Sequence, residues 1–145
     1  MSRPPVILQI LPELNSGGVE RGTIDIARAI VEASGTALVV SAGGRLSESL
    51  KTIGAVHITL PVNSKNPLRV KKNIAGLQEI IKQYQVDIVH ARSRAPAWSA
   101  YYAAKAEKIP FITTFHGVYG VNGMVKKKYN SVMVKGKRVI AVSHY

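Results

Sequence analysis

The sequence predicts a doubly wound α/β fold, in which a mostly parallel, Rossmann-like sheet of six strands is covered by helices on both faces. Short apolar runs alternate along the chain with longer segments of helical periodicity. The runs are apolar almost without interruption, which is typical of parallel strands buried between two helix layers. Parallel neighbours must be joined by right-handed crossovers, and these give the doubly wound arrangement.

The first half of the chain predicts three strands and two helices. An apolar run at 6–11 indicates a strand that Pro12 ends. After the Gly17-Gly18 loop, apolar residues recur at helical spacing from Val19, and Gly35 is a suitable stop for this helix. The next elements are a strand at 37–40, a helix at 46–53 and a strand at 56–60.

The second half begins with the clearest helix start in the chain. Asn66 can cap a helix, and Pro67 suits its first position. One apolar stripe of this helix consists of Val70, Ile74, Leu77, Ile81 and Tyr84. The elements predicted after it are a strand at 86–91, a helix at 96–107, a strand at 111–114, a helix at 124–133 and a strand at 138–142.

Length and composition indicate one globular domain over residues 1–145. The 145 residues are 46% hydrophobic and 19% charged, which is typical of a packed domain. The chain has no cysteine, so disulfides and thiolate metal sites are excluded. The run at 6–11 is too short for a secretory signal, and no run approaches the roughly 20 apolar residues that span a bilayer. We therefore expect a cytoplasmic protein.

The charge is strongly basic. Twenty Lys and Arg face eight acids, giving a net charge of +12 and a pI near 10.2. Such a balance favours polyanions, acidic lipid head groups or phosphorylated substrates. The cations after the last acid, Glu107, are Lys108, Lys126, Lys127, Lys128, Lys135, Lys137 and Arg138. These form either a solvated surface that further protein would partly cover or a patch for an anionic partner.

The loops that follow the strands are where ligands bind in such sheets. Adjacent glycines at 17 and 18 let the backbone approach a ligand and aim free N–H groups at an anion. The alternative is that Gly17 and Gly18 only make a tight turn. The spacing of these glycines fits neither the dinucleotide-binding fingerprint nor a Walker A loop. Binding of NAD or ATP through either motif is therefore not expected.

The fourth and fifth strands end in further polar residues. His90 is interpreted as a buried, hydrogen-bonded core histidine, while Arg92 and Arg94 suit a phosphate or carboxylate. His116, followed by Gly117, can donate a hydrogen bond or handle a proton, the alternative being a structural role. No His, Asp or Glu group has metal-ligand spacing, so no metal site is expected.

These residues give the chain a resemblance to glycosyltransferase family four, a group of retaining GT-B enzymes. The matching motifs are GGVER at 17–21, DIVHARS at 87–93, TTFHG at 113–117 and RVIAVS at 138–143. The members that the chain resembles most are bacterial enzymes of surface-polysaccharide or lipopolysaccharide assembly.

The resemblance implies a nucleotide-sugar donor, no metal ion or other cofactor, and retention of configuration. It implies that Gly17 and Gly18 lie against the donor diphosphate and that His116, as the catalytic residue, approaches the donor sugar. Arg92 and Ser93, with Arg94 beside them, are implied where an anionic glycolipid or saccharide acceptor binds.

The chain departs from the family in one respect. In the family, the residues that bind the nucleotide lie mostly in a second Rossmann-like domain, which is marked by two glutamates separated by seven residues. No such pair of glutamates occurs in this sequence. We therefore expect residues 1–145 to be the N-terminal, acceptor-side half of a GT-B fold, with the C-terminal nucleotide-sugar domain absent. Half a cleft should catalyse little alone, so a C-terminal partner domain is an expected partner.

A second hypothesis is a basic module that binds a polyanion or a membrane surface without catalysis. Its patch would contain Lys126, Lys127, Lys128, Lys135, Lys137 and Arg138. Nucleic acid is not expected, because no binding motif and few stacking aromatics are present. An acidic membrane suits the patch better, with peripheral attachment at the inner face. A flavodoxin-like signalling or flavin domain is a third, weaker hypothesis, since a receiver's acidic cluster is not evident.

Overall fold

A computed structural model describes residues 3–115 and 131–141. Within them, six strands form a single sheet in the order β3-β2-β1-β4-β5-β6. The strands are β1 Val6–Ile10, β2 Thr36–Ser41, β3 Val56–Thr59, β4 Ile88–Ala91, β5 Phe111–Phe115 and β6 Arg138–Ala141. Every neighbouring pair is parallel. The predicted doubly wound fold is therefore confirmed, with a sheet that is wholly and not only mostly parallel.

Four α-helices and one 3₁₀ helix accompany the sheet in the described part of the chain. They are α1 Gly18–Glu32, α2 Ser47–Thr52, α3 Pro67–Tyr84, α4 Arg94–Ala106 and the 3₁₀ helix Ser131–Val134. One core cluster joins α1 and α2 to one face of the sheet, through residues such as Ile24, Leu50 and Val39. A larger cluster joins α3, α4 and the 3₁₀ helix to the other face.

Most predicted boundaries hold within two residues. Oδ1 of Asn66 accepts a hydrogen bond from the backbone N–H of Leu68 at 2.9 Å, and Pro67 opens α3, as predicted. Helix α1 ends at Glu32, before the predicted stop, because Ser34 already takes a left-handed φ of 67°. Of the helix predicted at 124–133, residues 131–133 lie in the 3₁₀ helix, and 124–130 lie outside the described residues.

Candidate functional site

The sheet changes its direction of winding at β1, which lies between β2 and β4. Ligands of open parallel sheets bind beyond the carboxyl ends of the strands at such a switch point. Ile10 pairs with Ala91, so the loop after β1 and the loop after β4 leave the sheet side by side. This places the predicted glycine loop next to the predicted arginines.

The glycine loop begins α1 without a side-chain cap. Gly17 is the N-cap residue, and its φ of 129° is a conformation that favours glycine. A Cβ on Gly18 would meet nothing within 4 Å, so the first turn is open to solvent there. A helix start of this kind presents unpaired N–H groups to an anion.

An acid lies close to this helix start. Glu20 is in the first turn of α1, and its Oε2 is 2.6 Å from the position that a Cβ on Gly17 would take. A carboxylate there offsets the positive end of the helix dipole. An anion that approaches Gly17 and Gly18 must therefore displace or tolerate the Glu20 carboxylate.

The loop at 42–46 supports the first part of the glycine loop. The N–H of Leu14 donates to the carbonyl of Gly43 at 2.9 Å, and the N–H of Leu46 donates to the carbonyl of Leu14 at 2.8 Å. The N–H of Ala42 donates to the carbonyl of Pro12, also at 2.8 Å. These backbone bonds fix the segment from which the glycines project.

Arg92 is buried against α1. The residue is 6% exposed, and its Nη1 donates to Oε1 of Gln9 at 3.3 Å. Nε2 of Gln9 donates in turn to the carbonyl of Thr23 in α1 at 3.1 Å, which orients the amide. Burial lowers the pKa of the Arg92 guanidinium, although an arginine remains charged in proteins. The structure thus holds a cation beneath the start of α1.

His90 lies on the same side of the sheet as Gln9, with which it pairs across β1 and β4. It is 5% exposed, and its Nε2 is 2.6 Å from Oγ1 of Thr114 on β5. The interpretation of His90 as a buried, hydrogen-bonded histidine is confirmed. It also has a second role that the sequence did not indicate, because it lines a pocket.

This pocket, of about 420 Å³, lies between α1 and the carboxyl ends of β4 and β5. It is lined by Gly18, Gly22, Asp25 and Ile26 from α1 and by His90, Arg92, Thr114 and Ile140 from the sheet, and apolar atoms form most of its surface. We call it the α1 pocket. Its volume is in the range of small-molecule sites, which are mostly apolar with a few polar groups.

The three residues predicted for the acceptor do not share one environment. Arg92 lines the α1 pocket, whereas Ser93 and Arg94 are not among the described residues that line it. Ser93 is the N-cap of α4 but makes no side-chain capping bond, and Arg94 is the first residue of that helix. Because α4 packs on the opposite face of the sheet from α1, the two arginines diverge.

Several predicted residues fall elsewhere. His116 and the cations Lys126, Lys127 and Lys128 lie outside the described residues. Lys135 and Lys137 precede β6 and line a separate pocket beside Phe111, at the amino end of the sheet. Arg138 is the first residue of β6. Lys135, Lys137 and Arg138 therefore lie at the amino-terminal ends of the strands, whereas the α1 pocket lies at the carboxyl ends.

A third concavity, which the sequence did not indicate, lies between the first halves of α3 and α4. This groove, of about 370 Å³, is lined by Lys65, Val70, Lys71, Ile74, Trp98 and Tyr102 among others. We call it the α3–α4 groove. It combines an aromatic and aliphatic floor with two lysines.

Gln9, Gly22 and Thr114 also line or support the α1 pocket without having been predicted. Gln9 carried a signal, since it is the one amide within an otherwise apolar strand and a buried amide needs partners. Gly22 and Thr114 carried no such signal.

In the described residues, no helix is long and apolar enough to cross a membrane.

The chain is similar to known glycosyltransferases. The model of Glycosyltransferase Family 4 matches residues 16–145. A glycosyltransferase from Rickettsia africae is 50% identical, with a TM-score of 0.85 over 98% of this chain and 38% of that chain. No curated protein sequence matches the chain.

Two more distant structures share the fold. MurG of Acinetobacter baumannii is 16% identical, with a TM-score of 0.72 over 95% of this chain and 41% of that chain. Arabidopsis thaliana UGT89C1, in complex with UDP-L-rhamnose, is 13% identical, with a TM-score of 0.68 over 100% of this chain and 43% of that chain. The similarity to GT-B enzymes that the sequence predicts is thus confirmed at the level of the fold. This chain spans less than half the length of each of these three proteins.

Proposed function

The chain belongs to Glycosyltransferase Family 4, and we propose that it is the acceptor-side half of an enzyme that transfers a sugar from a nucleotide sugar. The acceptor is an anionic glycolipid or saccharide of the bacterial surface. Transfer retains the configuration of the sugar and uses no metal ion. The observation that carries this proposal is the convergence of the α1 start, Arg92 and His90 on one pocket at the switch point.

The donor phosphates are assigned to Gly17 and Gly18. The open side of Gly18 lets phosphate oxygens reach the first-turn N–H groups of α1. His116, which follows β5 directly, is assigned to the donor sugar. The UDP-L-rhamnose bound to the Arabidopsis structure supports a nucleotide sugar as the donor.

The acceptor is assigned to the β4 side of the same pocket. Arg92 supplies a cation there, and an anionic acceptor is the substrate that such a charge favours. Ser93 and Arg94 extend this side towards α4. Stabilisation of the transition state needs groups from both sides of a closed cleft, so the chain alone should be weakly active.

Domain complementation tests this function. The chain is fused to the C-terminal part of the Rickettsia glycosyltransferase, its 50% identical relative, and nucleotide release is measured over a panel of nucleotide sugars. We expect turnover from the fusion and little from the chain alone. His116→Ala in the fusion should lower turnover with an unchanged melting temperature, and Lys108→Ala is the control. A fusion that is folded but inactive with every donor would contradict the proposal.

A second candidate function, peripheral binding to an acidic membrane, is favoured by the α3–α4 groove. Segment 65–72 carries Lys65, Arg69, Lys71 and Lys72 and no acid. Leu68 is 74% exposed in the same segment, and the groove beside it contains Trp98 and Tyr102. Apolar side chains surrounded by cations suit the interface of an anionic bilayer.

Liposome flotation tests this candidate. We expect the chain to float with vesicles that contain anionic lipid at low salt, and less at high salt because surface charges are screened. The double variant Lys71→Gln/Lys72→Gln should float less than Lys105→Gln/Lys108→Gln, which removes equal charge from the last turn of α4 and the turn after it. Equal flotation of both variants, or none by the parent at low salt, would reject membrane binding through this groove.

A further inference from the structure

Arg92 is a buried cation with hydrogen-bond donors that the described residues do not use. Among residues 3–115 and 131–141, no acid forms an ion pair with it. Its Nη1 has only the 3.3 Å contact to Gln9, and its Nε is buried without a partner. A buried charge is tolerated when an opposite charge or several hydrogen bonds compensate it. Because the described part of the chain does not compensate this guanidinium, it points to an anion as its partner.

Helix α1 makes room for this guanidinium at Gly22. A Cβ at position 22 would lie 3.0 Å from Nη2 of Arg92, so any larger residue would push against the cation. Gly22 therefore allows the guanidinium to lie directly against the helix backbone. This position is one turn from the start of α1, where the helix dipole adds to the attraction for negative charge.

The α1 pocket presents further polar groups to such an anion. Thr114 and His90, whose Oγ1 and Nε2 lie 2.6 Å apart, line the pocket from β5 and β4, and Gly18 lines it from α1. The acid in the wall, Asp25, has a cation of its own, since Arg28 lies 3.3 Å away. An arginine fork beside a helix start suits the oxygens of a phosphate.

We propose that Arg92, which lies against Gly22 and lines the same pocket as Thr114, binds a phosphate group of the acceptor in the α1 pocket. This inference rests on the proposed function in that it takes the phosphate to be the acceptor's and not the donor's. Gln9 is the positioning residue, because its amide is held by the carbonyl of Thr23 and in turn holds Nη1 of Arg92.

Phosphate-dependent stability tests the site directly. The melting temperature of the chain is measured in sodium phosphate and in sodium chloride of equal ionic strength, for the parent and for Arg92→Gln, Arg92→Lys and Gly22→Ala. We expect phosphate to raise the melting temperature of the parent and to have little effect on Arg92→Gln. Arg92→Lys keeps the charge but loses the guanidinium fork, so its apparent phosphate affinity should fall about tenfold. Lys105→Gln, an equal change of charge at an exposed position of α4, should respond like the parent.

A structural role for Arg92 predicts a different pattern. Arg92→Gln would then melt lower than the parent in chloride, and phosphate would stabilise both proteins alike, which overturns the proposal. Under the proposal, Arg92→Gln in chloride is at least as stable as the parent, because an uncompensated buried charge has been removed. Gln9→Ala should weaken the response to phosphate, and Gln9→Glu should abolish it by supplying the counter-charge internally.

The source of the phosphate is tested by competition. Phosphate bound at Arg92 should remain bound when UDP is added, and glucose 6-phosphate should displace it. Displacement by UDP alone would overturn the assignment to the acceptor. The measurement needs no sugar transfer, so an inactive fusion that keeps Arg92-dependent phosphate binding would count against the proposed function and not against this site.

Discussion

Nε2 of His90 and Oγ1 of Thr114 lie 2.6 Å apart, across the neighbouring strands β4 and β5. Both residues are buried, and both line the α1 pocket. The bond thus links the stability of the sheet to the shape of the pocket. A buried donor or acceptor that loses its partner keeps its desolvation cost, so this bond is expected to matter for folding.

Thr114→Val removes the hydroxyl and keeps the side-chain shape. We expect the free energy of unfolding to fall by about 1–3 kcal/mol, because a polar atom of His90 then loses its hydroxyl partner in the interior. Urea denaturation followed by circular dichroism measures the change. Thr59→Val, at an exposed position of β3, is the matched control and should change stability by less than about 0.5 kcal/mol. Equal effects of the two substitutions would show that the 2.6 Å contact contributes little.

His57 should make stability depend on pH. Its Nε2 is 2.7 Å from Oγ of Ser41, and burial, together with the nearby Lys51, holds the pKa of His57 below its usual 6.5. The unfolded chain therefore binds a proton more readily than the folded one. Stability should be complete above pH 6.5 and should decrease as the pH falls below that value.

Urea unfolding of the parent and of His57→Gln, at intervals between about pH 7.5 and 5.5, measures this dependence. The parent should lose more stability than His57→Gln over this range, because only the parent takes up the proton at position 57. Lys51→Gln removes the second cause of the lowered pKa, so its decrease should be smaller than that of the parent. Parallel curves for the parent and His57→Gln would contradict the prediction.

Gly44 should tolerate substitution less well than Gly43. Both have a positive φ, 151° and 104° respectively, so alanine is strained at each. A Cβ on Gly44 would in addition lie 2.4 Å from the backbone of Leu14, whereas a Cβ on Gly43 would meet nothing within 4 Å. We expect Gly43→Ala to cost about 1–2 kcal/mol and Gly44→Ala to cost clearly more. Thermal unfolding of the two variants gives the comparison, and a smaller loss for Gly44→Ala would contradict it.

Glu20→Gln should strengthen the binding of anions at the start of α1. The carboxylate of Glu20 stands close to Gly17, where it competes with any phosphate for the same N–H groups. Its removal should raise the affinity for UDP, measured by isothermal titration calorimetry, by about threefold to tenfold at low salt. Glu32→Gln, at the other end of α1, is the control and should leave the affinity unchanged. Weaker binding by Glu20→Gln would mean that the carboxylate helps to hold the ligand.

The fold was predictable because its signals are local. Apolar runs with few polar residues marked all six strands, and the cap residue Asn66 with the following Pro67 marked the start of α3 correctly. Deviations occurred at the ends of elements. β4 begins at Ile88 and not at 86, for example, because the N–H of Val86 still donates to the carbonyl of Ile81 in α3 at 3.0 Å.

The candidate site was predictable only in part, because burial of a charge is not a local property. The sequence marked Arg92 and Arg94 as equivalent cations after one strand. Only the packing shows that Arg92 turns under α1 while Arg94 begins a helix on the opposite face. Gly22 and Gln9, which accommodate Arg92, lie about 70 and 83 residues from it along the chain, and no spacing rule connects such positions.

The support that the loop at 42–46 gives to Leu14 consists of peptide groups. Any residue except proline carries the same N–H, and every residue carries the same carbonyl. The side chain of Ser16 can therefore be exchanged while these backbone hydrogen bonds stay in place. The carboxylate of Glu13 differs, because it accepts hydrogen bonds from the side-chain amides of Asn15 and Asn63 at 3.0 and 3.2 Å and so ties the segment to the loop after β3.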